Sequence, residues 1–171
     1  MPQLLEQTFH RSVVIMLEHN EDGALGLVIN HETDHFCSEV ADSFQLAWPT
    51  GDHLHLRRGG PVESQSLWML HDDGWFFEET TLVAPGIAAS RSREALTRMF
   101  EADERRLRLL VGYAGWGPGQ LEEEIASGSW LTSDAHSDML FEWAAEDVWE
   151  RSLRAMGVDP AFLVDGGAGV Q

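Results

Sequence analysis

LRLLVGYAGWGPGQLEEE, residues 107–124, passes from an apolar run through a glycine-rich loop into an acidic segment. Residues 107–111 read as a buried strand, because a short apolar run stopped by Gly112 fits a strand better than a helix of equal length. Gly112, Gly115, Gly117, Pro118 and Gly119 then exclude regular structure. A helix is predicted from about Gln120, with Leu121 and Ile125 four apart on one face and Glu122, Glu123 and Glu124 near the positive end of its dipole. The order is therefore strand, glycine loop, helix.

Outward from that stretch the same logic supplies more elements. On its N-terminal side a helix is predicted over 91–101, burying Ala95, Leu96, Met99 and Phe100, with Ser90 or Ser92 as its cap. Residues 12–18 and 24–30 read as two buried strands joined by a tight turn, with Asp22 and Gly23 as the hairpin pair. Residues 31–38 are polar, and a short helix is predicted over 39–46 with Ser38 as cap. Residues 53–57, HLHLR, alternate as a half-exposed strand before the turn Gly59-Gly60-Pro61. Residues 67–71 form another strand, 75–78 are predicted to pair back, and 83–87 are irregular around Pro85. On the C-terminal side Gly128 ends the acidic helix, Trp130 and Leu131 begin an extended segment, and a last helix is predicted over 144–156, with Val148, Trp149, Leu153 and Met156 on its buried face and Gly157 as cap. Residues 1–164 are expected to form one domain and 165–171 a disordered tail.

At 171 residues the chain is long enough for a full core. A single cysteine, Cys37, excludes an intrachain disulfide; it lacks nearby basic residues in the sequence and reads as an ordinary thiol. No apolar run approaches the roughly 18 residues of a membrane span, and a cytoplasmic location is expected. The net charge is −18, from 29 acidic and 11 basic residues, and every basic residue is arginine. Such a field repels nucleic-acid phosphates unless a basic patch is segregated from it. Arg105, Arg106 and Arg108 interleave with acids and read as a solvated, charge-balanced surface, so direct DNA binding is disfavoured. The acidity suggests a host with a salty cytoplasm, where screening relieves self-repulsion.

Taken together, FHRSVVIMLEH (9–19), GALGLVIN (23–30), RRGGPV (57–62), LWMLH (67–71), VGYAGWGPGQLEEEI (111–125), SGSWL (127–131) and the closing helix with Trp149 resemble the AlgH/YqgE family of bacterial proteins. The pieces span nearly the whole chain in order. The resemblance implies a compact α/β (α+β) domain, a mixed sheet curled into a pseudo-barrel with helices packed outside. It implies no established activity; members are often labelled transcriptional regulators, which the acidity here renders indirect. Members usually begin with an extra apolar strand, and this chain starts at about that strand's end.

Several constellations invite chemistry. The glycine loop resembles a phosphate cradle in outline, but no lysine or hydroxyl follows its last glycine and Glu122–Glu124 already neutralise the helix end. His31, Glu32 and His35 spell HETDH, which satisfies HExxH formally, yet no helical run surrounds it and no third ligand is evident. His53 and His55 share a strand face, and two ligands are not a metal site. No metal or cofactor is therefore expected. His19 and His71 each end a strand and, with Asn30 and Glu18, would suit acid/base work if the strand ends converged, although no nucleophile is paired with them in the sequence. Seven tryptophans are many for this length, and an exposed pair among Trp68, Trp75, Trp143 and Trp149 would mark a partner surface. The expectation is a non-catalytic regulatory or interaction domain with a protein or small-molecule site lined by Asn30, Gly59, Gly60, His71, Tyr113, Trp116 and Gln120. The alternative is a hydrolase using His19 or His71 at the same cleft.

Overall fold

The computed structural model describes residues 8–48, 53–102 and 106–164. Eight strands form one sheet, organised on the quoted stretch: β1 (Val14–Asn20), β2 (Gly23–Val28), β3 (Glu32–Phe36), β4 (His55–Arg58), β5 (Val62–His71), β6 (Thr81–Ala84), β7 (Ile87–Ser90) and β8 (Leu107–Trp116). The helices are α1 (Cys37–Ser43), α2 (Arg93–Glu101), α3 (Gln120–Ala126), α4 (Ser137–Phe141), α5 (Val148–Ala155) and α6 (Pro160–Val164).

β8 is the axis. One of its edges pairs antiparallel with β5 from His71↔Leu107 to Val62↔Tyr113. Its other edge takes β4 in parallel at Arg57↔Leu110 and then β2 antiparallel at Ala24↔Trp116. The path β1-β2-β8-β5-β7-β6 curls until β1 and β6 approach within 8 Å without pairing, which gives a nearly closed, barrel-shaped mixed sheet with helices outside.

β8 does not stop at residue 111: Gly112 and Gly115, expected to exclude regular structure, lie inside it because pairing with β5 and β2 holds the chain extended to Trp116. Gly112 decides how the strand serves its neighbours. A strand alternates faces at every residue, so Leu110 and Tyr113 should point to opposite sides. Both pack into the same cluster, because Gly112 adopts φ +73° and inserts one residue into the alternation as a bulge does. The change of face separates three cores. Inside the curl lie Ile15, Leu27, Trp68, Leu70, Ile87 and Leu110, plugged by Leu140, Phe141 and Val148. Under α1 and α2 lie Leu56, Met69, Leu107 and Leu109 with Ala41, Leu96 and Met99. Beyond the bulge, Ala114 and Trp116 pack with Leu121, Val14, Met16 and Trp130 under α3.

Several local expectations change. The hairpin closes on Asn20↔Gly23, so its turn is Glu21-Asp22, where Asn20 Oδ1 accepts from the Asp22 N–H at 2.8 Å. The polar stretch 31–38 contains strand β3, held against β4 despite its exposed face. The first helix starts at Cys37, capped when the Phe36 N–H donates to Glu39 Oε2 at 2.7 Å rather than by Ser38. Residues 75–78 form no strand, and 83–87 is not irregular: Pro85-Gly86 is the turn of a hairpin between β6 and β7. The last predicted helix divides into a 3-10 turn, Ala145–Asp147, and α5, with α6 added behind. Ser92, not Ser90, caps α2, accepting from the Ala95 N–H at 3.1 Å. The expected tail at 165–171 and Arg105 lie outside the described residues.

The arginines change most. Arg108 is buried, donating to the carbonyls of Leu107 (2.9 Å) and Phe141 (3.0 Å), so it is no part of a solvated cluster. Arg57 is 3% exposed and donates to the Ile29 carbonyl at 2.7 Å. Burial, and next the nearby Arg108 charge, push its guanidinium down to about 10. Cys37 is buried and interacts electrostatically with Arg57, so it does have a basic neighbour. Other arginines cover indoles: Arg91 lies 4.3 Å from the Trp68 ring centre, Arg151 4.2 Å from Trp143 and Arg11 5.0 Å from Trp149. Trp68 is buried, Trp75 stacks on Phe77, and Trp143 and Trp149 are half-buried, so no exposed tryptophan pair marks a surface; Phe76 and Phe162 are the strongly exposed rings.

Candidate functional site

The residues singled out from the sequence fall into four places. Gly59 and Gly60 carry the chain across β8: the Gly59 N–H donates to the Val111 carbonyl and its own carbonyl accepts from Val28, both at 2.8 Å. A Cβ on Gly60 would collide with the Tyr113 backbone, so these glycines permit a close backbone crossing. His71 lies at the far end of β8. It is fully buried and its Nε2 meets Ser90 Oγ at 2.8 Å, which meets Thr80 Oγ1 at 2.7 Å, which accepts from the Phe77 N–H at 2.8 Å. That relay fastens loop 72–80 to the sheet. Tyr113 pairs six positions further along β8, roughly 20 Å away at the rise of a strand, where its ring meets Trp68 edge-on. Asn30 clamps the entry to β1: its Oδ1 accepts from the Val13 N–H and its Nδ2 donates to the Arg11 carbonyl, each at 2.8 Å.

Trp116 and Gln120 do meet, through Glu124, a residue not among those expected to form the site. Glu124 Oε2 accepts from Trp116 Nε1 (2.9 Å) and Trp130 Nε1 (2.8 Å), while its Oε1 accepts from Gln120 Nε2 (3.0 Å). Gln120 Oε1 in turn accepts from the Gly117 N–H at 3.0 Å, fixing the glycine loop. Burial raises the Glu124 pKa, but the bonds from Trp130, Gln120 and Trp116 outweigh it and hold the carboxyl below its ordinary range. The spacing offered one signal: Gln120 and Glu124 are four apart on a helix that begins after a three-residue gap from the end of β8 at Trp116.

Trp116 and Trp130 form one wall of a groove of about 500 Å³ between β1, α3, the segment 128–135 and α5, with Glu124 and Gln120 behind them rather than in its lining. Its apolar lining includes Val14, Met16, Trp116, Leu121, Ile125 and Trp130. Phe9 completes an aromatic cluster, 5.6 Å from Trp130 and 6.3 Å from Trp116 between ring centres. Arg11, Ser12, His19 and Asp134 also line the groove. His19 Nε2 lies 2.7 Å from Glu122 Oε1, tying β1 to α3; the Glu122 carboxyl is lowered by its own backbone N–H and by His19. His19 therefore stands with a carboxylate, and His71 is sealed inside the sheet. A serine does meet a histidine at the groove: Ser12 Oγ lies 3.3 Å from His31 Nε2. Burial, above all, lowers the His31 pKa, and the charges of Arg58 and His10 act in the same direction.

A second cleft, about 720 Å³, opens at the seam between β1 and β6. Its rim is Glu18, Glu79, Thr81 and Arg91, all exposed. It is the larger, but its polar groups are solvated, whereas the groove presents a concave apolar surface with few polar groups, the usual character of a ligand site. HETDH enters strand β3, with His31 just before it and Glu32 to His35 within it, so its two histidines are not presented as on a helix. Among the described residues no cluster of three or more His, Cys, Asp or Glu is placed to hold a metal ion. No helix of the described residues is long and apolar enough to cross a membrane.

Comparison with known proteins agrees with this architecture. The family model described as AlgH-like matches residues 1–161. A UPF0301 protein of Myxococcus xanthus is 45% identical over 167 residues, covering 97% of this chain and 92% of that one. The solution structure of the AlgH protein of Pseudomonas aeruginosa superposes with a TM-score of 0.76 at 31% identity, over 100% of this chain and 92% of that one. A crystal structure of a Corynebacterium diphtheriae protein shares the fold at a TM-score of 0.70 and 24% identity, over 87% and 79% of the two chains.

Proposed function

We propose, from the premise that this chain belongs to the AlgH-like family, that it is a regulatory or interaction domain of the cytoplasm that acts by holding a ligand in the groove beside the glycine loop. The observation that carries this reading is the groove's construction. Two indoles are locked by one carboxylate, so their apolar surface is fixed before anything binds, which reduces the ordering cost of association. A volume of about 500 Å³ lies in the range of small-molecule sites.

Binding rather than catalysis is supported by the engagement of His19 with Glu122 and of His71 with Ser90. The charge of −18 supports a partner or ligand other than DNA, and any effect on transcription is then indirect. Intrinsic tryptophan fluorescence tests the site, because Trp116, Trp130 and Trp149 all line it. A metabolite that shifts emission and raises the melting temperature, and is recovered unchanged, is the expected result. A Trp130→Ala variant that folds and binds the same metabolite equally well would move the site elsewhere.

A further inference from the structure

We infer that the groove takes an amphipathic anion, an acyl-type apolar tail ending in a carboxylate or phosphate, with its head at Arg11. This rests on the groove being the binding site and adds the class of its ligand.

The first support is charge contrast. At the chain's frequency of 29 acidic residues in 171, the 26 described lining residues would carry about four carboxylates; they carry one, Asp134, while Glu124 and Glu122 stand just behind the lining, engaged by the two indoles and by His19. The chain's strong negative field is thinned where an anion would enter. Asp134 is exposed, so solvent screens it.

The second is the setting of Arg11. It has φ +50°, uncommon for a residue with a side chain, and its flanks are pinned by the two Asn30 bonds. The guanidinium lies over Trp149 at the groove wall and has no ion-pair partner among the described residues. Ser12, next in the chain, touches His31, which feels the charges of Arg58 and His10. Arg58 likewise has no ion pair among the described residues. Two guanidinium groups of a very acidic protein, Arg11 and Arg58, thus have no carboxylate partner among the described residues, and a guanidinium is well shaped for a carboxylate or phosphate.

The third is the tail's environment. Val14, Met16, Leu121 and Ile125 line a surface between two indoles, and the flexible Met16 adapts to chain shape. Each methylene buried there should tighten binding about fourfold.

The test is a tryptophan-fluorescence titration of the full chain with monomeric octanoate, decanoate and dodecanoate, dodecyl phosphate, dodecanol and dodecylammonium, each below micelle-forming concentration. Affinity should rise roughly tenfold or more per two methylenes, and dodecanoate should bind at least tenfold more tightly than dodecylammonium. Arg11→Gln should weaken dodecanoate about tenfold and leave dodecanol unchanged; Arg11→Lys should retain most of the affinity, which separates charge from folding. Dodecylammonium or dodecanol binding as tightly as dodecanoate would overturn the inference and leave the groove as the site. Failure of every amphiphile would overturn both. Binding to phosphatidylglycerol vesicles with none to monomeric dodecanoate would also overturn it, placing recognition at a membrane surface.

Discussion

Removing the Glu124 carboxylate should destabilise the protein by about 2–4 kcal/mol. Glu124→Ala strips the acceptor from Trp116 Nε1, Trp130 Nε1 and Gln120 Nε2 at once. Trp116 is only 7% exposed, so its indole N–H loses a charge-assisted bond with little access to water, roughly 1–3 kcal/mol. Trp130 is half-buried and recovers part of its hydration, for about 1 kcal/mol, and Gln120, also half-buried, contributes a few tenths. For a chain of 171 residues, 3 kcal/mol corresponds to a fall in melting temperature of about 6–12 °C. Urea denaturation followed by fluorescence measures the loss. A cycle with Trp130→Phe, which keeps a ring but removes the N–H, isolates the bond and should give a coupling of about 1 kcal/mol. A loss below 0.5 kcal/mol for Glu124→Ala, or a coupling indistinguishable from zero, would refute the view that this carboxylate organises the groove. Because its folded pKa is lowered, the Glu124 contribution is complete above the ordinary carboxylate pKa and fades as pH falls through the depressed folded value.

Three other outcomes are expected. His31 has a folded pKa below 6.5, so its contribution is complete above the unfolded value and is lost as pH falls through the folded one; His31→Gln should flatten the stability profile below about pH 6.5, measured by chemical denaturation from pH 5 to 8. Gly60→Ala should destabilise by more than about 2 kcal/mol, since its Cβ would overlap the Tyr113 backbone, whereas Gly117→Ala, with only the Gln120 side chain near, should change stability by less than about 1 kcal/mol. Molar KCl should raise the melting temperature relative to dilute buffer because the net charge is −18; equal values would remove self-repulsion as a significant factor.

How far the site was legible from sequence depended on whether its determinants were local. Trp116 and Gln120 flank one short turn, so their closeness could be read from their separation of four residues. Arg11 and Trp149 could not, because they meet across 138 positions and only the packing of α5 against β1 brings them together. His71 and Tyr113 are expected to line one site, yet the pairing of β5 with β8 sets His71 opposite Leu107, six positions along the strand from Tyr113. The buried Arg57 and Arg108 read as surface residues, since charge usually means solvent; their terminal nitrogens donate instead to the backbone carbonyls of Ile29, Leu107 and Phe141, and no sequence pattern announces a carbonyl.

Residues 107–124 by themselves determined the order strand, glycine turn, helix, because apolar run length, glycine content and four-residue spacing act within a few residues of one another, but not the length of the strand, which runs through Gly112 and Gly115 to Trp116. Only the tertiary structure decided that Gly112 would turn Tyr113 onto the face of Leu110, and that Trp116 would share a carboxylate with Trp130. Both outcomes depend on neighbours distant in sequence: the strand crossing at Gly60 occupies the space a side chain at Gly112 would need, and the return of segment 128–135 brings the second indole to Glu124.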